Sequence, residues 1–349
     1  MTTSTPQATM VGHQLTVVDV IDETPDAKSI VLRAPDDAGE LFSYRPGQFL
    51  TFRIPSDLTG HVARSYSLSS APGIDHDLKV TVKRTSDGYG SNWMCDNVAP
   101  GSSLTVLPPS GVFTPADYER DLLLFAGGSG ITPVMSILRT ALLRAECSVT
   151  LFYANRDEDS IIFRRELGEL AAAYPDRLEV RHWLDVRDGH PSAEVVADFA
   201  AAHTSSEVFT CGPGPFMDAV GEGLRDAGVP KDQQHREVFL SLTGDPFEAP
   251  ELAPASEAGS TVDTVVHLDG ESHSFPWPDN QTLVDTLLDR GVDVPYSCRS
   301  AECGSCACTV VSGSVDMANS DILDPEDVAD GFILGCQSRP RTGPIEIEF

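Results

Sequence analysis

Asp121-Leu-Leu-Leu-Phe-Ala-Gly-Gly-Ser-Gly-Ile-Thr-Pro133 decides the fold of this chain. Asp121 to Ala126 reads as a buried strand, and Ile131 to Leu143 reads as a helix. The turn between them, Gly127-Gly128-Ser129-Gly130, allows close backbone approach. The helix start that follows offers free N–H groups to a pyrophosphate, so a dinucleotide is the natural ligand. Pro133 stands where the third glycine of Gly-x-Gly-x-x-Gly would fall, so the turn departs from that pattern.

Downstream the alternation repeats, with strands over 148–153, 178–183, 208–211 and 237–240 and helices over 160–173, 192–202 and 215–227. Strands alternating with helices predict a doubly wound parallel α/β sheet, here over residues 115–242. Cys211-Gly212-Pro213-Gly-Pro215 forms a second glycine turn at the same edge, where open α/β sheets bind ligands. Either turn alone is also an ordinary tight connection; two at strand carboxyl ends of one sheet point to a shared ligand.

Upstream, residues 12–114 change texture, with short runs over 15–21, 29–32, 48–54, 62–68, 78–84 and 103–107 separated by Gly, Pro and Asp. Six short strands without a convincing helix predict an antiparallel β-barrel. One of them closes with Arg64-Ser65-Tyr66-Ser67, and Val82-Lys83-Arg84 and Gly88-Tyr-Gly90-Ser91 follow. A flat redox-active ring needs an aromatic face, a hydroxyl near its reactive nitrogen, and a fixed cation with N–H groups for its phosphates. Tyr66, Ser67, Arg64 and the Gly88 to Ser91 turn supply these, although the run also reads as a plain strand with one exposed arginine.

Beyond residue 242 the stretch 243–260 is rich in Pro, Ala, Glu and Ser, the composition of a semi-extended linker. A third domain over 261–349 opens with a hairpin signal, Thr264 to Leu268 and Glu271 to Phe275 around Asp269-Gly270, and a short helix over Leu283 to Leu288. Cys298, Cys303 and Cys306 then stand as Cys-x4-Cys-x2-Cys, with Cys336 30 residues further on. That is the spacing of a plant-type [2Fe-2S] site; a zinc knuckle would usually show two Cys-x2-Cys pairs. The small loop residues Gly304 and Ser305 leave room for backbone N–H groups to face sulfur. Cys308, Cys95 and Cys147 are expected to pack as small apolar side chains.

The 349 residues accommodate two or three domains, and 41% hydrophobic with 22% charged residues exclude a disordered or fibrous chain. A net charge of −29 repels nucleic acid and anionic lipid headgroups. The first eleven residues read as a flexible start without the pattern of a signal peptide, and no apolar run approaches the roughly 20 residues of a membrane span. A cytosolic protein is expected, and there eight cysteines signify metal or redox chemistry rather than disulfides.

These motifs together resemble the ferredoxin-NADP reductase superfamily, in particular its oxygenase reductases with a C-terminal plant-type ferredoxin domain of α+β, β-grasp-like fold. The resemblance covers nearly the whole chain after residue 12. It implies that Arg64, Ser65, Tyr66 and Ser67 with Val82 and Lys83 hold the flavin, and that Gly88, Gly90 and Ser91 hold the diphosphate of FAD. It also implies that Gly127, Gly128, Ser129, Gly130, Thr132, Cys211, Gly212 and Pro213 surround the nicotinamide nucleotide. Phe239 matches the position of a flavin-facing aromatic, and equally reads as a core residue. Arg156 is placed to grip a 2′-phosphate, but Asp157, Glu158 and Asp159 would repel one, so NADH is expected over NADPH.

The implied activity is electron transfer from NADH through FAD and a [2Fe-2S] cluster to a separate terminal oxygenase; reductases of phenylacetyl-CoA and aromatic-ring oxygenases share most of these motifs, and a monomer is expected over an oligomer. A redox sensor and a single-chain oxygenase are the rival readings. The first would need an effector or DNA-binding segment, and the second a substrate pocket beyond the cofactors. Residues 261–349 hold 16 Asp plus Glu against 4 Arg, a net −12, while the preceding 260 carry −17. A basic partner surface would be steered to this domain.

Overall fold

The computed structural model describes residues 12–242, 244–247, 260–268, 270–292, 294–319, 322–323 and 325–349. The expected flexible start at 1–11 and most of the expected linker at 243–260 lie outside the described residues. Two compact units are present, one spanning most of residues 13–239 and the other including 240–349.

The first unit begins with six antiparallel strands, β1 (His13–Thr24), β2 (Ala27–Arg33), β3 (Phe49–Ser56), β4 (Gly60–Ser67), β5 (Leu78–Lys83) and β6 (Ser103–Val106). Their order is β4-β3-β6-β1-β2-β5, and a bridge between Leu68 and Val80 brings the two outer strands together. Alternate residues such as Leu50, Phe52, Ile54, Ile30, Leu32, Val80 and Val82 fill the barrel, as the two-residue strand period requires.

Contrary to the sequence reading, this region contains a helix, α1 (Tyr89–Asn97), and Gly88 to Ser91 is its start rather than a turn. Its buried apolar residues, Met94 and Cys95, are adjacent rather than spaced by three or four, so the sequence carries no clear helical stripe there.

The α/β part contains β7 (Leu122–Gly127), α2 (Ile131–Arg144), β8 (Val149–Asn155), α3 (Arg164–Ala173), β9 (Leu178–Leu184), the short α4 (Asp185–Asp188), α5 (Ala193–Ala200), β10 (Glu207–Cys211), α6 (Gly214–Asp226) and β11 (Gln234–Glu237). All five strands are parallel in the order β11-β10-β7-β8-β9, so the central β7 is buried at every residue. Two boundaries differ from expectation. The helix expected over 160–173 starts at Arg164, because Phe163 adopts a left-handed conformation with φ 61°. The last strand is three residues earlier than 237–240: polar Gln234, His235 and Arg236 form this edge, whereas apolar Val238, Phe239 and Leu240 are exposed.

The second unit holds β12 (Thr261–Leu268), β13 (Glu271–Pro278), α7 (Leu283–Asp289), β14 (Ala307–Met317), the short α8 (Pro325–Ala329), β15 (Phe332–Leu334) and β16 (Ser338–Glu348). The sheet order is β13-β12-β16-β14-β15, with the last strand central and parallel to the first. Fully buried Trp277, Leu283, Val284, Leu287 and Ile347 form its core.

Candidate functional site

The expected flavin residues gather at the end of β4. Gly90, in the first turn of α1, lies where a Cβ would stand 2.7 Å from Arg64 Cγ, so α1 packs directly under that arginine. The guanidinium of Arg64 donates to the carbonyl of Ala63 at 2.6 Å. Tyr66 packs edge-on to Phe52 with centroids 5.7 Å apart, and burial pushes its hydroxyl pKa up, so it stays neutral and able to donate. Ser65 bonds Thr51 at 2.9 Å, while Ser67 is buried. Asn92 donates to the carbonyl of Gly88 at 2.7 Å, and Ser91 accepts the Thr85 N–H at 3.0 Å, which fixes the helix start. Val82 points into the barrel core, which leaves only its backbone for a ligand. Trp93 also packs against that core.

The two glycine turns of the α/β sheet touch each other. A Cβ on Gly130 would fall 2.1 Å from the carbonyl oxygen of Cys211, and one on Gly127 2.9 Å from Pro213. No other residue type fits at position 130. Gly128 has φ 52°, and its carbonyl accepts the Tyr153 hydroxyl at 3.2 Å. Lys83 of β5 brings its Nζ to the same glycine, 3.8 Å from where a Cβ would stand. Thr132 is buried, its hydroxyl donating to the Ser129 carbonyl at 3.0 Å, so this side chain locks the turn. The Cys211 thiol is fully buried, and burial pushes its pKa up.

Sequence reasoning missed Glu237, which pairs in register with Cys211 across β10 and β11. The residue is half-buried, and burial pushes its carboxyl up to about 8. A protonatable group beside the second glycine turn was legible only once the edge strand was placed. Phe239 is 47% exposed, which removes the core reading of that residue. Arg156 is exposed and tied to Asp157 at 2.8 Å, and Asp157 also accepts the Ser160 N–H at 2.9 Å.

In the second unit the four cysteines form two pairs. The Cys298 N–H points at Cys303 Sγ at 3.4 Å, and the Cys336 N–H at Cys306 Sγ at 3.4 Å. The Cys303 thiol and the N–H groups of Ser300 and Glu302, 3.4 and 3.3 Å from Cys298 Sγ, hold Cys298 toward its thiolate. Ser305 carries a buried hydroxyl that lies beside the Cys303 sulfur and has no oxygen or nitrogen partner among the described residues. Two thiol pairs, inward N–H groups and a hydroxyl turned to sulfur fit a two-iron cluster with two ligands for each iron. Among the described residues, no three His, Cys, Asp or Glu side chains gather to hold a lone metal ion. Cys308 is buried in the core, and burial pushes its thiol up, so it behaves as an apolar side chain.

Fold and site define a flavin- and nicotinamide-dependent reductase that carries its own ferredoxin domain. Residues 14–114 match the oxidoreductase FAD-binding domain, 124–222 the oxidoreductase NAD-binding domain, and 266–341 the 2Fe-2S iron-sulfur cluster binding domain. Over 337 residues the chain is 57% identical to the 3-ketosteroid-9-alpha-monooxygenase ferredoxin reductase component of Rhodococcus rhodochrous, covering 96% of each. It is 32% identical over 355 residues to a component of the 1,2-phenylacetyl-CoA epoxidase of Escherichia coli, covering 97% of each.

The solved structure of phthalate dioxygenase reductase, described as a modular structure for electron transfer from pyridine nucleotides to [2Fe-2S], aligns with a TM-score of 0.59 at 26% identity. The alignment covers 97% of this chain and 98% of that one. The chain belongs to the family of monooxygenase ferredoxin reductase components. It is an oxidoreductase with FAD-binding, NAD-binding and 2Fe-2S cluster binding domains. No helix among the described residues is long and apolar enough to cross a membrane.

Proposed function

We propose that this chain is the reductase of a Rieske-type 3-ketosteroid 9α-hydroxylase, working in the cytoplasm as a monomer. The observation that carries the steroid assignment is the 57% identity across nearly the full length of the Rhodococcus rhodochrous protein, against 32% for the epoxidase component. Eight cysteines without a disulfide support a reducing compartment.

A flavin held at the end of β4 would supply the conversion of a two-electron hydride into single electrons, and a cluster held by the four cysteines would carry them one at a time. Around these groups the chain's own residues divide the work. Arg64 and the start of α1 from Gly88 to Ser91 hold the FAD diphosphate, Tyr66 offers its ring and neutral hydroxyl, and Ser67 faces the reactive edge. Gly127 to Gly130, Thr132 and the Gly212-Pro213 turn seat the nicotinamide nucleotide at the start of α2, with Lys83 and Cys211 alongside. Glu237 holds or releases a proton at its carboxyl, and Phe239 covers the flavin.

Asp157 occupies Arg156 and keeps it from a 2′-phosphate, which supports NADH over NADPH. Cys298, Cys303, Cys306 and Cys336 ligate the cluster. The domain limits 12–114, 115–242 and 261–349, with a linker at 243–260, accord with the three matched ranges.

The test is to purify the chain, measure NADH-dependent reduction of ferricyanide without organic substrate, and then supply it to candidate oxygenases. Fast reduction followed by 9α-hydroxylation of a 3-ketosteroid is expected. Support of an aromatic-ring or phenylacetyl-CoA oxygenase instead would make this chain the reductase of that system, and no ferricyanide reduction would restore the redox-sensor alternative.

A further inference from the structure

The barrel and the α/β sheet meet within one compact unit along a seam rich in hydrogen-bonding groups. On the barrel side the segment following Ser67 is held to β5 and β2: Thr81 meets Ser69 at 2.9 Å and Ser29 at 2.8 Å, and Ser29 donates to Glu23 at 2.6 Å. Polar interfaces between modules slide by default, so a fixed alignment needs directional contacts. Such contacts concentrate on α2. One turn after Thr132, the Ser136 hydroxyl donates to the carbonyl of Ser70 at 2.5 Å, and Ser70 lies three residues beyond Ser67. Three residues further along α2, Arg139 donates two bonds to Asp75 of the barrel, at 2.5 and 2.8 Å, while its Nε lies 3.2 Å from Glu166.

Glu166 also meets Lys79 of β5 at 3.5 Å, so negative and positive groups alternate across the seam. The Arg139 and Lys79 side chains are only 13% and 15% exposed, where charges are weakly screened. The left-handed Phe163 starts α3 so that Glu166 reaches this set, and its ring lies 5.1 Å beneath the Lys79 ammonium. On the barrel side, Asp75 also accepts the Ala71 N–H at 2.8 Å. Burial opposes its ionisation, but Arg139 and this N–H prevail and keep its pKa below the usual carboxylate value. The chain of contacts from Thr132 to Ser67 therefore runs through α2 and these two locks.

We propose that Arg139 is a positioning residue for hydride transfer: through Asp75 it fixes the helix carrying Thr132 against the segment following Ser67, and so sets the approach of nicotinamide to flavin. The inference rests on the flavin and nicotinamide sites assigned above. A misplacement of about 1 Å costs roughly a hundredfold in such a step, so loosening the lock is expressed in rate before binding.

The experiment uses the full-length holoprotein and follows anaerobic flavin bleaching after mixing with NADH in a stopped-flow instrument. Arg139→Gln and Asp75→Asn each lower the limiting rate by roughly tenfold or more, and the double variant is no slower than the slower single, as expected for one shared contact. The flavin content, flavin midpoint potential and half-saturating NADH concentration stay as in the parent. Arg139→Lys recovers part of the rate, and Ser136→Ala, a gentler loosening, gives a smaller loss in the same direction.

Limiting rates that match the parent in both singles, losses that multiply in the double variant, or losses that simply track flavin content overturn the proposal. A parent protein that NADH does not reduce overturns the site assignment along with it.

Discussion

The glycine turns of the α/β sheet and the cysteine loop of the ferredoxin domain are both built from small residues, for opposite reasons. At Gly130 and Gly212 backbone lies against backbone, and the arrangement is complete within the protein. In the cysteine loop the left-handed conformation falls on Arg299 at φ 56° and Ala301 at φ 65° as well as on Gly304 at φ 70°. Non-glycine residues there cost about 1–2 kcal/mol each, and the return is a set of N–H groups aimed at sulfur. One site is shaped by what it excludes, a Cβ; the other by what it must satisfy, a cluster.

Four outcomes would break or sharpen that contrast. The largest effect belongs to the loop: Cys336→Ser abolishes cluster binding, whereas Cys308→Ser keeps it, as read by iron content and the visible spectrum. The reverse result would reassign the fourth ligand. Next, Gly130→Ala forces a methyl into the Cys211 carbonyl and destabilises the first unit by about 3 kcal/mol, a fall in Tm of roughly 6–12 °C. The inverse exchange in the loop, Ala301→Gly, changes stability by less than about 1 kcal/mol, because relief of left-handed strain is offset by greater freedom of the unfolded chain.

Third, Asp157→Ser frees Arg156 and narrows the ratio of kcat/KM for NADH over NADPH by roughly tenfold, or about 1.4 kcal/mol. An unchanged ratio would remove Arg156 from the argument. The smallest effect is ionic. Electron transfer to the oxygenase slows as salt rises from about 0.05 to 0.5 M, while flavin reduction by NADH changes less. Equal dependence would remove the acidic docking face.

The contrast also explains what was legible in the sequence. Cysteine spacing and glycine turns are local patterns written in rare residue types, so Cys298, Cys303, Cys306, Cys336 and the Gly127 to Gly130 turn could be read directly. The parallel sheet followed from alternation, because a strand such as β7 is apolar at every position. By contrast, α1 lacks a continuous apolar face, β11 is a polar edge, and Glu237 acquires its environment only from register with Cys211. Arg139 and Asp75 lie 64 residues apart with no motif linking them, and their pairing is visible only in three dimensions.

The placement of β16 bears on how the protein is made. It is the middle strand of its sheet, flanked by β12 and β14, yet it is the last of the sheet's strands in chain order, and Cys336 lies two residues before it. During synthesis the flavin and nicotinamide modules are complete long before this strand exists, and they can fold as units while translation continues. The ferredoxin sheet is completed later than they are, since its centre is the last of its strands and the pairing of that strand with β12 spans the whole domain. The cysteine site therefore sits in a sheet whose middle strand is the last of its strands to be made, and a domain without that strand loses the centre of the sheet rather than its margin.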